Sequence, residues 1–184
     1  MSPSPDRGRV AFVARWLLVV VLVCSMVVAA AAPAVAFVRG EPDISVTLSD
    51  GTVQPGAETT LDMTLVNSGD VDFGADSQLN TGKEQVVTTA RGTLVRVEPA
   101  TGENPIEVDS GEVGVGSVPE GTRSVPIRVS VPEDAEPGTY ELDVEVEYDH
   151  YSQISGGRTN GYNSEDTTAE YTVEVTVEEA ARFE

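Results

Sequence analysis

From Tyr140 to Tyr148 the chain alternates apolar and acidic residues without a break. Tyr140, Leu142, Val144, Val146 and Tyr148 fall on one side, and Glu141, Asp143, Glu145 and Glu147 on the other. Period two predicts an extended strand with one face on a core and the other in water. A slip of one residue would bury the carboxylates, so the register of this strand is set. The pair Pro137-Gly138 just before it is a turn signal, since proline presets φ and glycine accepts φ > 0.

The same pattern recurs in shorter pieces. Asp43 to Leu48 predicts a first strand, ended by Ser49-Asp50-Gly51, and Pro55-Gly56 makes a second turn. Glu58 to Val66 follows, with Leu61, Met63 and Leu65 on the buried side and Thr60, Asp62 and Thr64 outside. Residues 70–84 are polar and glycine-rich and predict a loop. Strands are predicted at Glu84–Thr89 and Thr93–Val97, with short edge strands at Ile106–Val108 and Val113–Val115. Ser124–Val131 alternates again, and Pro126 within it points to an edge, because proline donates nothing to a ladder. Residues 150–167 are rich in Gly, Asn and Ser and predict a loop. Tyr171, Val173, Val175 and Val177 close the series with Glu170, Glu174 and Glu178 outside. Short strands of period two with regular turn signals, and no helical pattern after residue 40, predict an all-β antiparallel β-sandwich over residues 41–178.

The first forty residues differ in kind. Residues 16–38 carry no charge. As a helix they would measure ~34 Å, enough for a bilayer core of about 30 Å. Arg7, Arg9 and Arg15 precede the run and Glu41 and Asp43 follow it, which keeps the N-terminus inside and exports the rest. Ala34-Val35-Ala36 is a small-x-small cleavage site. Residues 1–36 are therefore a signal peptide or a signal anchor, that is, an N-terminal signal/transmembrane helix outside the fold. If it is uncleaved, residues 16–38 hold the chain in the membrane, and either way the remainder is exported to the cell surface or the medium. Cys24, the one cysteine, lies inside this run, so the exported part has neither disulfide nor thiolate metal site.

Charge sharpens the picture. The chain has 31 acidic and 11 basic residues, a formal net charge of −20. Three of the arginines and a single acid, Asp6, precede the apolar run, so the exported part is more acidic still. Such a surface excludes nucleic acid as a partner, since phosphates need basic patches. It also fits concentrated salt, where a Debye length of about 3 Å at 1 M screens self-repulsion.

Three stretches, DMTLVNSGDVDFG, TTARGTLVRV and VPEDAEPGTYELDVEVEY, resemble the S-layer-domain-like surface proteins of salt-loving archaea. The modules of that family are related to cell-adhesion-related (CARDB-type) immunoglobulin-like domains, and the similarity covers roughly residues 41–184. The resemblance implies an immunoglobulin-like β-sandwich, a non-catalytic structural, adhesion or docking role, and partners among other envelope proteins or further modules of the same protein. A similar Ala-Arg-Phe-Glu opens the next module in that family, so residues 179–184 are expected to start a linker or a truncated next module. The alternative is an accessory carbohydrate-binding or glycosidase-associated domain, for which exposed aromatic side chains would be the mark.

Candidate chemistry is sparse. His150, the single histidine, lies between Asp149 and Tyr151, but no Gly-x-Ser-x-Gly elbow accompanies it, and no catalytic residues are assigned. The acids fall mostly on solvated faces, which opposes a glycosidase pair. Calcium is the cofactor to consider: Asp70, Asp72 and Asp76 cluster in one predicted loop, and Asn160, Asn163, Glu165 and Asp166 in another. Ca²⁺ takes six to eight oxygens, and neither loop has EF-hand spacing. Docking is expected at an edge near Pro126 or in the loop from His150 to Thr167, with Tyr151 and Tyr162 as anchors.

Overall fold

The structure, a computed structural model, describes residues 37–74, 82–156 and 160–179. The expected signal or membrane segment at 1–36 and the end of the chain from 180 lie outside the described residues. Among the described residues no helix is long and apolar enough to cross a membrane.

In chain order the elements are β1 (Phe37–Glu41), β2 (Ile44–Leu48), β3 (Thr52–Val53), β4 (Glu58–Asn67) and β5 (Asp70–Phe73). A short helix α1 (Lys83–Val87) follows, then β6 (Ala90–Pro99), β7 (Glu107–Val108) and β8 (Glu112–Val118). The last three strands are β9 (Gly121–Ser130), β10 (Gly138–Ser155) and β11 (Gly161–Val177). They form two sheets in a sandwich-like arrangement. The larger has seven strands in the order β3-β11-β10-β1-β5, with β6 also on β10 and β8 on β6; the smaller has the order β2-β4-β9-β7. Every pair is antiparallel except β3 with β11.

The alternating stretch is the middle of β10, and the large sheet is built on it. Along one side β10 pairs with β11, from Gly138 opposite Val177 to Ser155 opposite Gly161. Its other side is shared: β6 covers Leu142 to Asp149 and β1 covers Gln153 to Ser155. A register shift between Tyr151 and Gln153 marks the changeover. Leu142, Val144 and Val146 are buried, and they meet Leu61, Met63, Leu65, Val125, Ile127 and Val129 of the small sheet in one core. Each such aliphatic side chain contributes roughly 1.5–3 kcal/mol when fully buried. Val38, Val87 and Ile154 form a separate small cluster, with Val71, Val86 and Tyr151 against it.

Four expectations are corrected. Within the predicted loop at 150–167, residues 150–155 and 161–167 are strand, the end of the 18-residue β10 and the start of the 17-residue β11. Polar residues sit in strand here because the hairpin extends past the core, where neither face needs to be apolar throughout. The predicted loop at 70–84 begins with a strand, β5, held on β1 by the pairing of Arg39 with Phe73. The strand predicted at Glu84–Thr89 contains a helix instead. Gly82 enters it at φ 82°, and Thr88 and Thr89 turn their hydroxyls back to the carbonyls of Glu84 and Gln85. Those bonds satisfy helix-end acceptors that a strand would not leave open. Lastly, Phe37 and Val38, counted with the apolar run, belong to β1, and Val38 is fully buried. The sheet therefore starts before residue 41.

Pro126 does lie on an open rim. β7 covers only Val129 and Ser130 of β9. Arg128 directs its carbonyl to the Asp109 amide and its own amide to Ser110, away from β4. Two residues earlier the backbone faces the same way, so the absent N–H of Pro126 is one that would have pointed outward.

Candidate interaction surface

The outer face of the large sheet is a field of carboxylates. Glu141, Asp143, Glu145, Glu147 and Asp149 leave β10 on the side opposite the core, and Asp166, Glu170 and Glu174 do so on β11. The register sets three like-charged pairs directly across the hairpin: Glu141 with Glu174, Glu145 with Glu170, and Asp149 with Asp166. On the other side Asp143 faces Glu98. Like charges directly opposite one another on a sheet are destabilising.

Two arginines relieve part of that repulsion. Arg96 bonds Glu112 at 2.8 Å and Glu145 at 2.5 Å. The hydrogen bond to Glu112, then the charges of Glu145 and Glu112, raise its pKa further. Arg91 approaches Asp149 at 3.8 Å and stands 4.2 Å over the Tyr151 ring. A shallow depression of about 540 Å³ lies on this face, lined among others by Arg96, Glu98, Asp143, Glu145, Glu170 and Thr172.

Beside this face runs an open strand edge. β11 pairs with β3 only at Thr176 and Val177, and Gly51 packs against the Glu174 carbonyl just before them. From Gly161 to Thr172 no other strand among the described residues pairs with that side, although β2 comes close at Ile44, whose carbonyl takes the Tyr171 hydroxyl. The Thr176 amide bonds Gly51 and the Glu178 amide bonds Val53. Even-numbered residues of β11 thus turn their backbone groups outward, and Asp166, Thr168, Glu170 and Thr172 present theirs along the open edge.

Most of the described calcium candidates lie on two strands, β5 and β11. Asp70 and Asp72 lie on β5; Asp70 accepts from the Val71 amide and Asp72 approaches Arg39 at 3.8 Å. Asp76 lies outside the described residues. Asn163, Glu165 and Asp166 are on β11, where Glu165 and Asp166 fall on opposite faces. No group of three or more His, Cys, Asp or Glu side chains among the described residues is placed to hold a metal.

His150 faces inward and is 4% exposed, with its ring 6.2 Å from that of Tyr148 and no hydrogen-bond partner on Nδ1. Asn67, 2% exposed, is the polar residue that sequence reasoning missed. Its Nδ2 donates to the carbonyls of Thr88 and Val118, both at 2.8 Å, and its Oδ1 accepts from the amides of Asp43 and Gly69. It thereby joins four separate segments at one end of the sandwich. Its place just before the Ser68-Gly69 break was the available signal.

Tyr151 and Tyr162, the expected anchors, pair across the hairpin with ring centroids 4.9 Å apart. Phe37 and Phe73 stack at 4.6 Å. Phe73 and Tyr162 are 57% and 52% exposed.

No family model and no curated protein matches this chain. Among solved structures it is similar to a family 123 glycoside hydrolase from Clostridium perfringens, described for glycolipid glycan hydrolysis, at 13% identity and a TM-score of 0.31. The similarity covers 73% of this chain and 27% of that one, and at this level it carries no argument about what this chain does.

Proposed function

We propose that this chain is a non-catalytic, extracytoplasmic surface module. Its sandwich is of immunoglobulin-like type, related to the CARDB-type modules of S-layer-domain-like proteins from salt-loving archaea. Its work is structural, by docking to other envelope proteins or to further modules of the same protein. The observation that supports this reading is the carboxylate field on the outer face of the large sheet. Acids opposed across a hairpin at Glu141–Glu174, Glu145–Glu170 and Asp149–Asp166 repel in dilute buffer and are screened in concentrated salt. An acidic, open-edged surface of this kind is suited to contact, and the core behind it is filled with aliphatic side chains.

The chain has a single lysine, Lys83, and that makes the location testable. A membrane-impermeant amine reagent applied to intact host cells, in the salt of their medium, should label Lys83. Labelling that appears only after lysis would end the surface reading. A carbohydrate-binding role draws on the exposed Tyr162 and the partly buried Tyr151 paired with it. It predicts retention on envelope polysaccharide that a Tyr162→Ala variant loses.

A further inference from the structure

We infer that the open edge of β11 from Gly161 to Thr172 is a strand-addition site, and that its occupant is an extended segment of another envelope protein in which Lys or Arg alternates with small apolar residues. This inference rests on the docking role proposed above and names the chemistry of the partner.

The site has three parts. The first is backbone: Asp166, Thr168, Glu170 and Thr172 turn N–H and C=O groups to a side where no strand among the described residues meets them. An incoming strand settles about 4.8 Å away and completes those bonds. The second is charge. Asp166 and Glu170 stand four residues apart on the outer face, each already opposed by an acid of β10, Asp149 and Glu145. Arg91 and Arg96 already meet the β10 members, Asp149 and Glu145, whereas basic side chains on the outer face of an added strand would lie beside Asp166 and Glu170 and give the β11 row its own counter-charge. The third is the inner face, where Thr167, Ala169 and Tyr171 are partly covered and the Tyr171 hydroxyl reaches the Ile44 carbonyl. Small apolar residues on the alternate positions of the partner would close over that side. One strand whose period-two pattern is basic outside and apolar inside satisfies all three.

A second copy of β11 is a poor occupant by the same reasoning, since it brings another row of acids to the edge. Natural sheets guard long edges with charge, and the carboxylates here turn away acidic and neutral strands while admitting a basic one.

The test uses the full chain and a synthetic peptide alternating lysine with valine, beside a control in which glutamine replaces each lysine. Hydrogen exchange read residue by residue should show new protection at the amides of Thr168 and Glu170 with the lysine peptide only. Thr168→Pro removes one outward N–H, leaves the net charge unchanged and sits on the edge side where proline is tolerated. It should weaken binding at least tenfold with the thermal midpoint held. The Asp166→Asn, Glu170→Gln pair should weaken binding and flatten its salt dependence. Equal affinity of the wild type and Thr168→Pro would mean that the acidic surface alone attracts the peptide, and would overturn strand addition. So would protection confined to other strands, absence of binding, or dimerisation of the chain through β11 in its place. If Thr168→Pro does not fold, the protection pattern of the wild type decides. Lys83 labelling on intact cells together with failure to bind the peptide would sink this inference and leave the surface role standing.

Discussion

The hydroxyl of Tyr171 on β11 donates to the carbonyl of Ile44 on β2, 2.5 Å away, and so joins an edge region of the large sheet to the edge strand of the small one. Burial, then the neighbouring Tyr148 and Asp43, raise the pKa of this phenol. Tyr148 is raised as well, first by burial and then by the charges of Glu41 and Asp43, while a hydrogen bond with Thr167 works the other way.

An alkaline limit follows from that pair. In the unfolded chain a tyrosine ionises near pH 10, whereas Tyr148 and Tyr171 keep their protons longer when folded. The folded state then holds more protons than the unfolded one, so this stability is complete below about pH 10 and is lost as pH rises through the folded values. Thermal midpoints should hold to about pH 9 and fall from about pH 10. The Tyr148→Phe, Tyr171→Phe double variant should show a shallower fall, and an unchanged alkaline slope would contradict this account.

Asn67 predicts a large cost from one small change. Asn67→Ala leaves the carbonyls of Thr88 and Val118 and the amides of Asp43 and Gly69 without their partner. An orphaned buried group costs about 1–3 kcal/mol, and partial rescue by water brings the expected loss to about 2–4 kcal/mol. Equilibrium denaturation measures it. A loss under about 1 kcal/mol would show that these groups find water readily.

The opposed carboxylates of β10 and β11 make the fold salt-dependent. The thermal midpoint should climb between about 0.1 and 1 M sodium chloride. Removing the cation with Arg96→Gln should steepen that climb, because Glu112 and Glu145, which flank it on β8 and β10, then lose their shared counter-charge. Neutralising Glu141 and Glu170 to Gln should flatten it. A midpoint indifferent to salt in all three proteins would show that these pairs are screened already.

Gly40 marks a close approach of β1 to β5. A Cβ there would lie 2.5 Å from the Asp70 carbonyl oxygen and 3.0 Å from a Val87 methyl. Gly40→Ala should cost about 1–3 kcal/mol by overpacking. Its effect should be local, with faster hydrogen exchange at β1 and β5 and unchanged exchange at β4 and β9.

What could be read from the sequence was whatever the two-residue period governs. Tyr140 to Tyr148 and Leu61 to Leu65 alternate because one face is on the core, and both are strands. Where the two strands pass beyond the core, at residues 151–155 and 161–167, the period carries no apolar signal, and Gly, Asn and Ser mimic a loop. Pairing of β10 with β11, invisible along the chain, holds both stretches extended. Val86 and Val87 looked like strand residues because β-branched side chains favour strands, but Gly82 at positive φ and the small cluster around Val38 and Ile154 prevail. The open edge was equally hidden. Pro126 announced the rim of β9 by its chemistry, whereas that of β11 depends on how little of it β3 covers.

The place of β1 has a consequence in time. Phe37 enters the sheet opposite Ser155, and Val38 opposite Ile154. As the chain is made, β1 emerges before the other described strands and must remain unpaired on that side until β10 arrives, most of the chain later. The β10–β11 hairpin is local and can close as soon as Val177 emerges, and it then offers β6 and β1 a template. Distant pairings are slow because a long loop has to close before any contact forms. Docking of β1 on β10 therefore waits for the β10–β11 hairpin, although β1 precedes both in the chain and meets β5 sooner.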